Sequence, residues 1–267
     1  MKLSMSTLGC PDWTFEQVLD NFSKLHCDIE IRGIDGEMDA DRIVRFFPEN
    51  AEETKRLMRE KGLKFVSFGS SCKFHDPATQ EKNIADAKTA VDVCARMDIP
   101  SLRVFGNDIP DKTKTEETVV FACKGFKEVC AYAEKKGVRV NLEIHGDFNS
   151  MEALNILIRE MKDVPAFGII WDVEHSDKTV GDNFLPFYAL IKPFIHHIHI
   201  KDYLRDEHYT LKLLGEGDIP LPAIVRQLQV DGYDGYYSFE WEKAWHKELP
   251  EPEIAFPHFV NYMKQFA

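Results

Sequence analysis

The chain has 267 residues, 29% of them charged and 44% hydrophobic, with a formal net charge of −12. That balance suits one large soluble domain, and the acidity argues against nucleic acid as the main partner, because phosphate contacts need clustered Lys and Arg. No apolar run approaches the length of a membrane span, and MKLSMSTLGCPDW has no sustained apolar core of a secretory signal. The six cysteines form no CxxC pair, so a cytoplasmic protein with free thiols and no membrane association is expected.

In chain order, residues 2–8 predict a first strand, and Thr14 with Gln17 forms a capping box opening a helix to about Leu25. DIEIR (Asp28–Arg32) alternates as a second strand, with Ile29 and Ile31 facing the helices and Glu30 and Arg32 facing inward. A polar loop reaches Pro48, and AEETKRLMREK forms a charged amphipathic helix stopping at Gly62. LKFVSFG is the third strand; a loop with Cys72, His75 and Asp76 follows, then a helix ending near Met97. SLRVFG, with Arg103 at its centre, is the fourth strand, and a long helix from about Glu116 ends at Gly137. VRVNLEIHG is the fifth, followed by a helix capped by Asn149 or Ser150 and running to about Met161. AFGIIWD is the sixth, with a short helix from Asp182 to Leu190. PFIHHIHIK is the seventh; a polar loop leads to LGEGDIP, with Pro220 in the first turn of the next helix. DGYYSFEWE is the eighth, and a last helix completes the chain. Eight strand-then-helix pairs without a low-complexity linker imply a single-domain (β/α)8 TIM barrel over residues 1–267.

Four stretches end in acid or imidazole groups: NLEIHG, WDVEH, HHIHIKD and YSFEWEK. Within them Glu143, Asp172, His199 and Glu240 are spaced 29, 27 and 41 residues apart. A βα unit takes about 30 residues in a barrel of about 250, which puts the four on consecutive units near the C-terminal strand ends, where barrel active sites lie. Strand parity points them the same way. Asn141, Glu143 and His145 share one face, as do His197 and His199, and as do Ser238, Glu240 and Glu242. Buried carboxylates need a partner, and one divalent ion would serve Glu143, Asp172 and Glu240 together with His199. Three carboxylates and one imidazole suit Mn, Zn, Mg or Co. His197 is read as a packing or hydrogen-bonding residue. Arg103 has two readings, a contact to an anionic or hydroxyl-rich ligand or a salt bridge to an interior carboxylate such as Glu30. Trp241 and Trp245 form either an apolar wall for a sugar ring or packing at the rim.

The chain resembles the sugar phosphate isomerase/epimerase family of xylose isomerase-like barrels. The resemblance runs from GCPDW through LRVFG, NLEIHGDF, WDVEH, HIHIKD and GEGDIP to GYYSFEWEK, with its specific part in the C-terminal half. It implies Glu143, Asp172, His199 and Glu240 as metal ligands, His175 as a contact to substrate oxygens, and Lys201 and Glu216 as further pocket residues. Arg103 and His145 complete the expected substrate-binding set, His145 just behind the ligands. The 3-epimerases of that group carry a second glutamate soon after the first ligand and an arginine after the histidine ligand; here His145 takes the first place, and Arg205 lies in a loop the sequence does not position.

The resemblance implies a metal-dependent isomerase or epimerase of a sugar, sugar phosphate or related polyol, and the ligand types suit its mechanism. The ion polarises a carbonyl and eases loss of the adjacent proton. Glu143 and Glu240, on non-adjacent strands, remove and return the proton through an enediolate, while Lys201 and His175 steady developing oxyanion charge. Return to the opposite face gives an epimer, return to the neighbouring carbon an isomer, and loss of a β-hydroxyl a dehydrated product. The alternatives are a lyase of the inosose dehydratase kind and a non-catalytic sugar-binding barrel. An apurinic-site endonuclease is disfavoured by the acidic charge and the lack of further histidine ligands.

Overall fold

The computed structural model describes residues 1–267. Its strands are β1 (Lys2–Ser6), β2 (Asp28–Ile31), β3 (Phe65–Lys73), β4 (Ser101–Asn107), β5 (Arg139–Gly146), β6 (Phe167–Asp172), β7 (Ile195–Ile200), β8 (Asp202–Tyr203), β9 (Leu211–Lys212) and β10 (Tyr236–Phe239). All but β8 and β9 pair in parallel into a closed barrel in which β10 stands between β7 and β1. The helices are α1 (Phe15–Leu25), α2 (Pro48–Lys61), α3 (Gln80–Arg96), α4 (Thr115–Glu134), α5 (Met151–Met161), α6 (Val173–Val180), α7 (Leu185–Ile191), α8 (Leu221–Val230) and α9 (Pro252–Met263).

Period-2 alternation builds the barrel as expected. Ile29, Ile31, Leu142, Ile144, Ile198 and Ile200 are buried in one connected core of 76 residues, so strands and helices share a single interior. Glu30, Glu143 and His199, one step out of phase with them, turn inward. The Thr14–Gln17 capping box opens α1, and Gly62 ends α2. Ser150 caps α5 through its hydroxyl. Asn149 instead donates to Thr179 Oγ1 at 2.6 Å and to the His175 carbonyl, which ties that turn to α6.

Several elements differ from the sequence reading. Residues 173–180 form α6, and the following helix begins at Leu185 rather than Asp182. β3 continues to Lys73, so Cys72 belongs to a strand and not a loop. The polar stretch after β7 carries the antiparallel pair β8–β9. Pro220 is the N-cap of α8 and not part of its first turn. All six cysteines are buried and unpaired, and no helix is long and apolar enough to cross a membrane.

At the end of β4, Gly106 lies against the buried ring of Phe148, in the turn after β5, and a Cβ on Gly106 would overlap that ring. Gly106→Ala should therefore destabilise the barrel by about 1–3 kcal/mol through overpacking. The check is urea denaturation, where the midpoint should fall with an unchanged slope; an unchanged midpoint would contradict the packing described.

Candidate metal centre and active site

Glu143 near the end of β5, Asp172 closing β6, His199 on β7 and Glu240 one residue past β10 occupy four consecutive barrel strands. Register places Asp172 and Ser238 on either side of His199. All four side chains are buried. His199 Nδ1 lies 3.3 Å from Glu240 Oε2, 3.5 Å from Glu143 Oε1 and 3.6 Å from Asp172 Oδ2. Atoms bound to one ion at about 2.0–2.2 Å stand roughly 3.0–3.5 Å apart, so the observed separations suit a shared ion. His199 Nδ1 is buried without a hydrogen-bond partner, while Asp172 Oδ2 and Glu143 Oε2 make no hydrogen bond of good geometry but meet Lys201 Nζ and Arg103 Nη1 at 2.9 Å. Native interiors rarely leave an atom such as His199 Nδ1 unsatisfied. The donor set therefore fits one divalent cation.

Glu30 decides which imidazole nitrogen is free. Its Oε1 lies 2.8 Å from His199 Nε2, its Oε2 lies 2.7 Å from His197 Nε2, and Ser238 Oγ donates to the same Oε2. Nε2 of His199 thus donates to a carboxylate and Nδ1 faces the acids, the arrangement by which a carboxylate fixes a ligating histidine. Glu30, His197 and His199 also lie close enough to be read as a metal trio. Their direct contacts make them a hydrogen-bonded support instead. Burial would push the Glu30 carboxyl up, but His199 and His197 outweigh it and hold it well below the usual range. Burial likewise opposes charge on His199, but Glu240, Glu30 and Glu143 raise it well above an ordinary histidine. A metal on Nδ1 would take the place of that proton.

Two buried cations complete the charge balance. Arg103 Nη1 lies 2.9 Å from Glu143 Oε2 and 3.1 Å from Glu240 Oε1. Its partners are the two glutamates of the ring and not Glu30. Lys201 Nζ hydrogen-bonds Glu242 at 2.6 Å and lies 2.7 Å from Glu240 Oε2, 2.9 Å from Asp172 Oδ2 and 3.5 Å from Glu174 Oε2. Burial disfavours the carboxylate charges, but His199, Lys201 and Arg103 hold Glu240 well below the usual range, and Arg103 and His199 lower Glu143 against burial and the nearby Glu240 charge. Above this ring opens a cavity of about 630 Å3 whose walls include Phe105, His145, His175, Tyr209 and Trp245. The His145 and His175 rings meet edge to face at 4.3 Å, and burial, followed by His175, pushes His145 down.

A family model described as the xylose isomerase-like TIM barrel matches residues 28–258. The chain belongs to that family. Among solved structures, the IolI protein with a binding zinc atom superposes with a TM-score of 0.81 at 16% identity, covering 100% of this chain and 99% of that one. The probable 3-DHS dehydratase AsbF of Bacillus anthracis, involved in petrobactin synthesis, gives 0.75 at 17%, covering 93% and 95%. The 3-keto-D-glucoside 4-epimerase YcjR of E. coli gives 0.69 at 19%, covering 90% and 91%. At these identities the likeness shows the fold. No curated protein matches the sequence.

Within this xylose isomerase-like barrel, Arg103, Glu143, His145, His175, Lys201 and Glu240 line one cavity. Glu216 does not. It is exposed in a turn organised by Asp202, whose carboxylate accepts from the backbone of Gly215 at 2.8 Å, Gly217 at 3.1 Å and Ile219 at 3.2 Å. That turn holds the GEGD segment away from the cavity. Lys201, expected to face substrate, is surrounded by carboxylates and chiefly neutralises them. Trp241 is buried with its indole donating to the Pro250 carbonyl, so it packs the rim, whereas Trp245 lines the mouth. Arg205 is bound to Asp177 and Asp182 and does not line the cavity. Neither Cys72 nor His75 lines it.

The sequence reading missed Glu242, Glu174, Lys178 and Tyr209 among the cavity residues. Inward parity with Glu240 was the signal for Glu242. Glu174 and Lys178 lie on the unforeseen α6, and Tyr209 lies between β8 and β9, where no local pattern marks it.

The depressed value of Glu30 has a definite sign. Its contribution to stability is present above its unfolded value of about 4.3 and is lost as pH falls through the lower folded value. In metal-free protein, Glu30→Gln should cost about 1–3 kcal/mol at neutral pH and flatten the loss of stability below about pH 4. Thermal melting across a pH series checks this; parallel curves for the two proteins would contradict the role given to Glu30.

Proposed function

We propose that this xylose isomerase-like barrel is a metal-dependent isomerase or epimerase of a sugar or related polyol, acting by proton transfer beside a carbonyl. The observation that carries the proposal is the buried ring of Glu143, Asp172, His199 Nδ1 and Glu240, in which the unpartnered His199 Nδ1 faces three carboxylates. These four residues would hold the ion. Bound there, a divalent cation supplies Lewis-acid polarisation of a carbonyl.

The acid–base work falls to Glu143 and Glu240. Each turns one oxygen toward His199 Nδ1 and leans the other on the same Arg103 nitrogen. Arg103 thereby fixes both carboxylates and favours their anionic form. They stand on either side of His199, on β5 and just past β10, so one can remove the proton as an anion while the other, once protonated from water, delivers a proton to the enediolate. His145 and His175 offer ring nitrogens to substrate hydroxyls from the wall. Lys201 offsets the charge of Asp172 and Glu240. A cavity of about 630 Å3 falls in the usual range for small-molecule sites. The net charge of −12 supports a small-molecule rather than a nucleic-acid partner, and six unpaired cysteines support a reducing, cytoplasmic setting.

The test is deuterium wash-in, followed by NMR, for Mn- or Zn-loaded protein with ketoses, aldoses, their phosphates, sugar acids and inososes in deuterated water. Exchange at the carbon beside a carbonyl is expected. It should fall about 100-fold or more in Glu143→Gln and in Glu240→Gln and stop on metal removal. The exchanged product separates epimer, isomer and dehydrated species. Absence of exchange across the panel in metal-loaded protein would overturn the proposal.

A further inference from the structure

Arg32 stands one residue past β2 and lines the same cavity. The other Arg and Lys side chains there are paired: Arg103 with Glu143 and Glu240, Lys178 with Glu174, and Lys201 with Asp172, Glu240 and Glu242. Arg32 makes no ion pair. Its guanidinium donates from Nη2 to Ser71 Oγ at 2.8 Å, which leaves most of its five N–H donors without a protein partner.

Its position is built into the barrel. The side chains of Arg32 and Arg103 lie together over Gly69 of β3, where a Cβ would stand 3.1 Å from Arg32 Cδ and 3.2 Å from Arg103 Cζ. The bare backbone at Gly69 makes room for two cations side by side. Arg103 is neutralised by the ring glutamates. Burial, then the nearby Arg103 charge, push Arg32 down to about 10, which leaves it cationic at neutral pH. A half-buried cation beside a second one is costly unless an anion meets it. Arg32 belongs to the β2–β3 side of the mouth, and the metal-competent ring to the β5–β10 side. One ligand in a shared cavity of about 630 Å3 reaches both.

We propose that the substrate is a polyhydroxy acid whose carboxylate is held by Arg32 while its carbonyl end lies at Glu143, Asp172, His199 and Glu240. This rests on the function proposed above and names its substrate class. The planar fork of one guanidinium, held by Ser71 through Nη2, suits the two coplanar oxygens of a carboxylate. A phosphate dianion calls for a second free cation, and Arg103 is already committed to Glu143 and Glu240.

The test compares D-gluconate with D-glucitol by titration calorimetry on the metal-loaded protein; the two share a polyol chain and differ in the carboxylate. Wild type should bind gluconate about tenfold or more tightly than glucitol. Arg32→Gln should lose that preference while metal content and melting temperature hold, and Arg32→Lys should keep part of it. Equal binding of the two ligands by wild type, or an undiminished preference in Arg32→Gln, overturns the proposal. Inorganic phosphate binding through Arg32 more tightly than gluconate overturns the choice of carboxylate. The two layers separate cleanly. Neutral sugars exchanging protons with the same kcat/KM as the matching acids would sink the subsite and leave the isomerase reading. An Arg32-dependent gluconate preference in a protein that exchanges no proton would do the reverse.

Discussion

Charge matching among side chains buried at the barrel mouth is the constraint on which the structure depends. Glu30, Glu143, Asp172 and Glu240 are buried at the C-terminal strand ends, where an unpaired carboxylate would be far too costly. Each is met by a cation or imidazole from another strand. Glu240 touches Arg103 from β4, His199 from β7 and Lys201 just beyond β7. Glu143 shares Arg103 and His199 with it. Closure of the barrel therefore brings the balancing charges together, and misplacing one strand would strand charges on several others.

The same network orients the donor atoms of the candidate metal site. Asp172 divides its two oxygens: Oδ1 accepts from the backbone of Glu174 and His175 at the start of α6, and Oδ2 faces His199 Nδ1 and Lys201. An N-cap bond of this kind fixes the carboxylate and favours its anionic form. Glu30 performs the parallel task for His199 by occupying Nε2. Neither residue needs to move to present its donor atom, so the site is organised before any ligand arrives.

Much of the barrel was legible because a strand's period of two is stated by the residues themselves. DIEIR, NLEIH and HHIHI each assign an inward and an outward face without reference to any other part of the chain. Intervals near one βα unit did the rest, placing Glu143, Asp172, His199 and Glu240 on consecutive strands. What stayed hidden depends on partners distant in sequence. Parity turned Glu30 inward, but nothing local says that it meets His197 and His199, and for the same reason the salt-bridge reading of Arg103 could offer Glu30 only as an example where the partners are Glu143 and Glu240. α6 escaped notice because VEHSDKTV has too few apolar residues to show a helical period and its cap, Asp172, looked only like a ligand. GEGD was placed at the pocket by the family resemblance, and the turn that holds it away is set by Asp202, thirteen residues before Gly215, which no local pattern reveals.

The most direct measurement is anomalous scattering at the zinc edge from crystals grown with zinc. A single peak is expected at about 2.0–2.2 Å from His199 Nδ1 and from carboxylate oxygens of Glu143, Asp172 and Glu240, with Glu30 still on Nε2. A ring without a peak at full zinc loading, or zinc bound through His199 Nε2, would contradict the account.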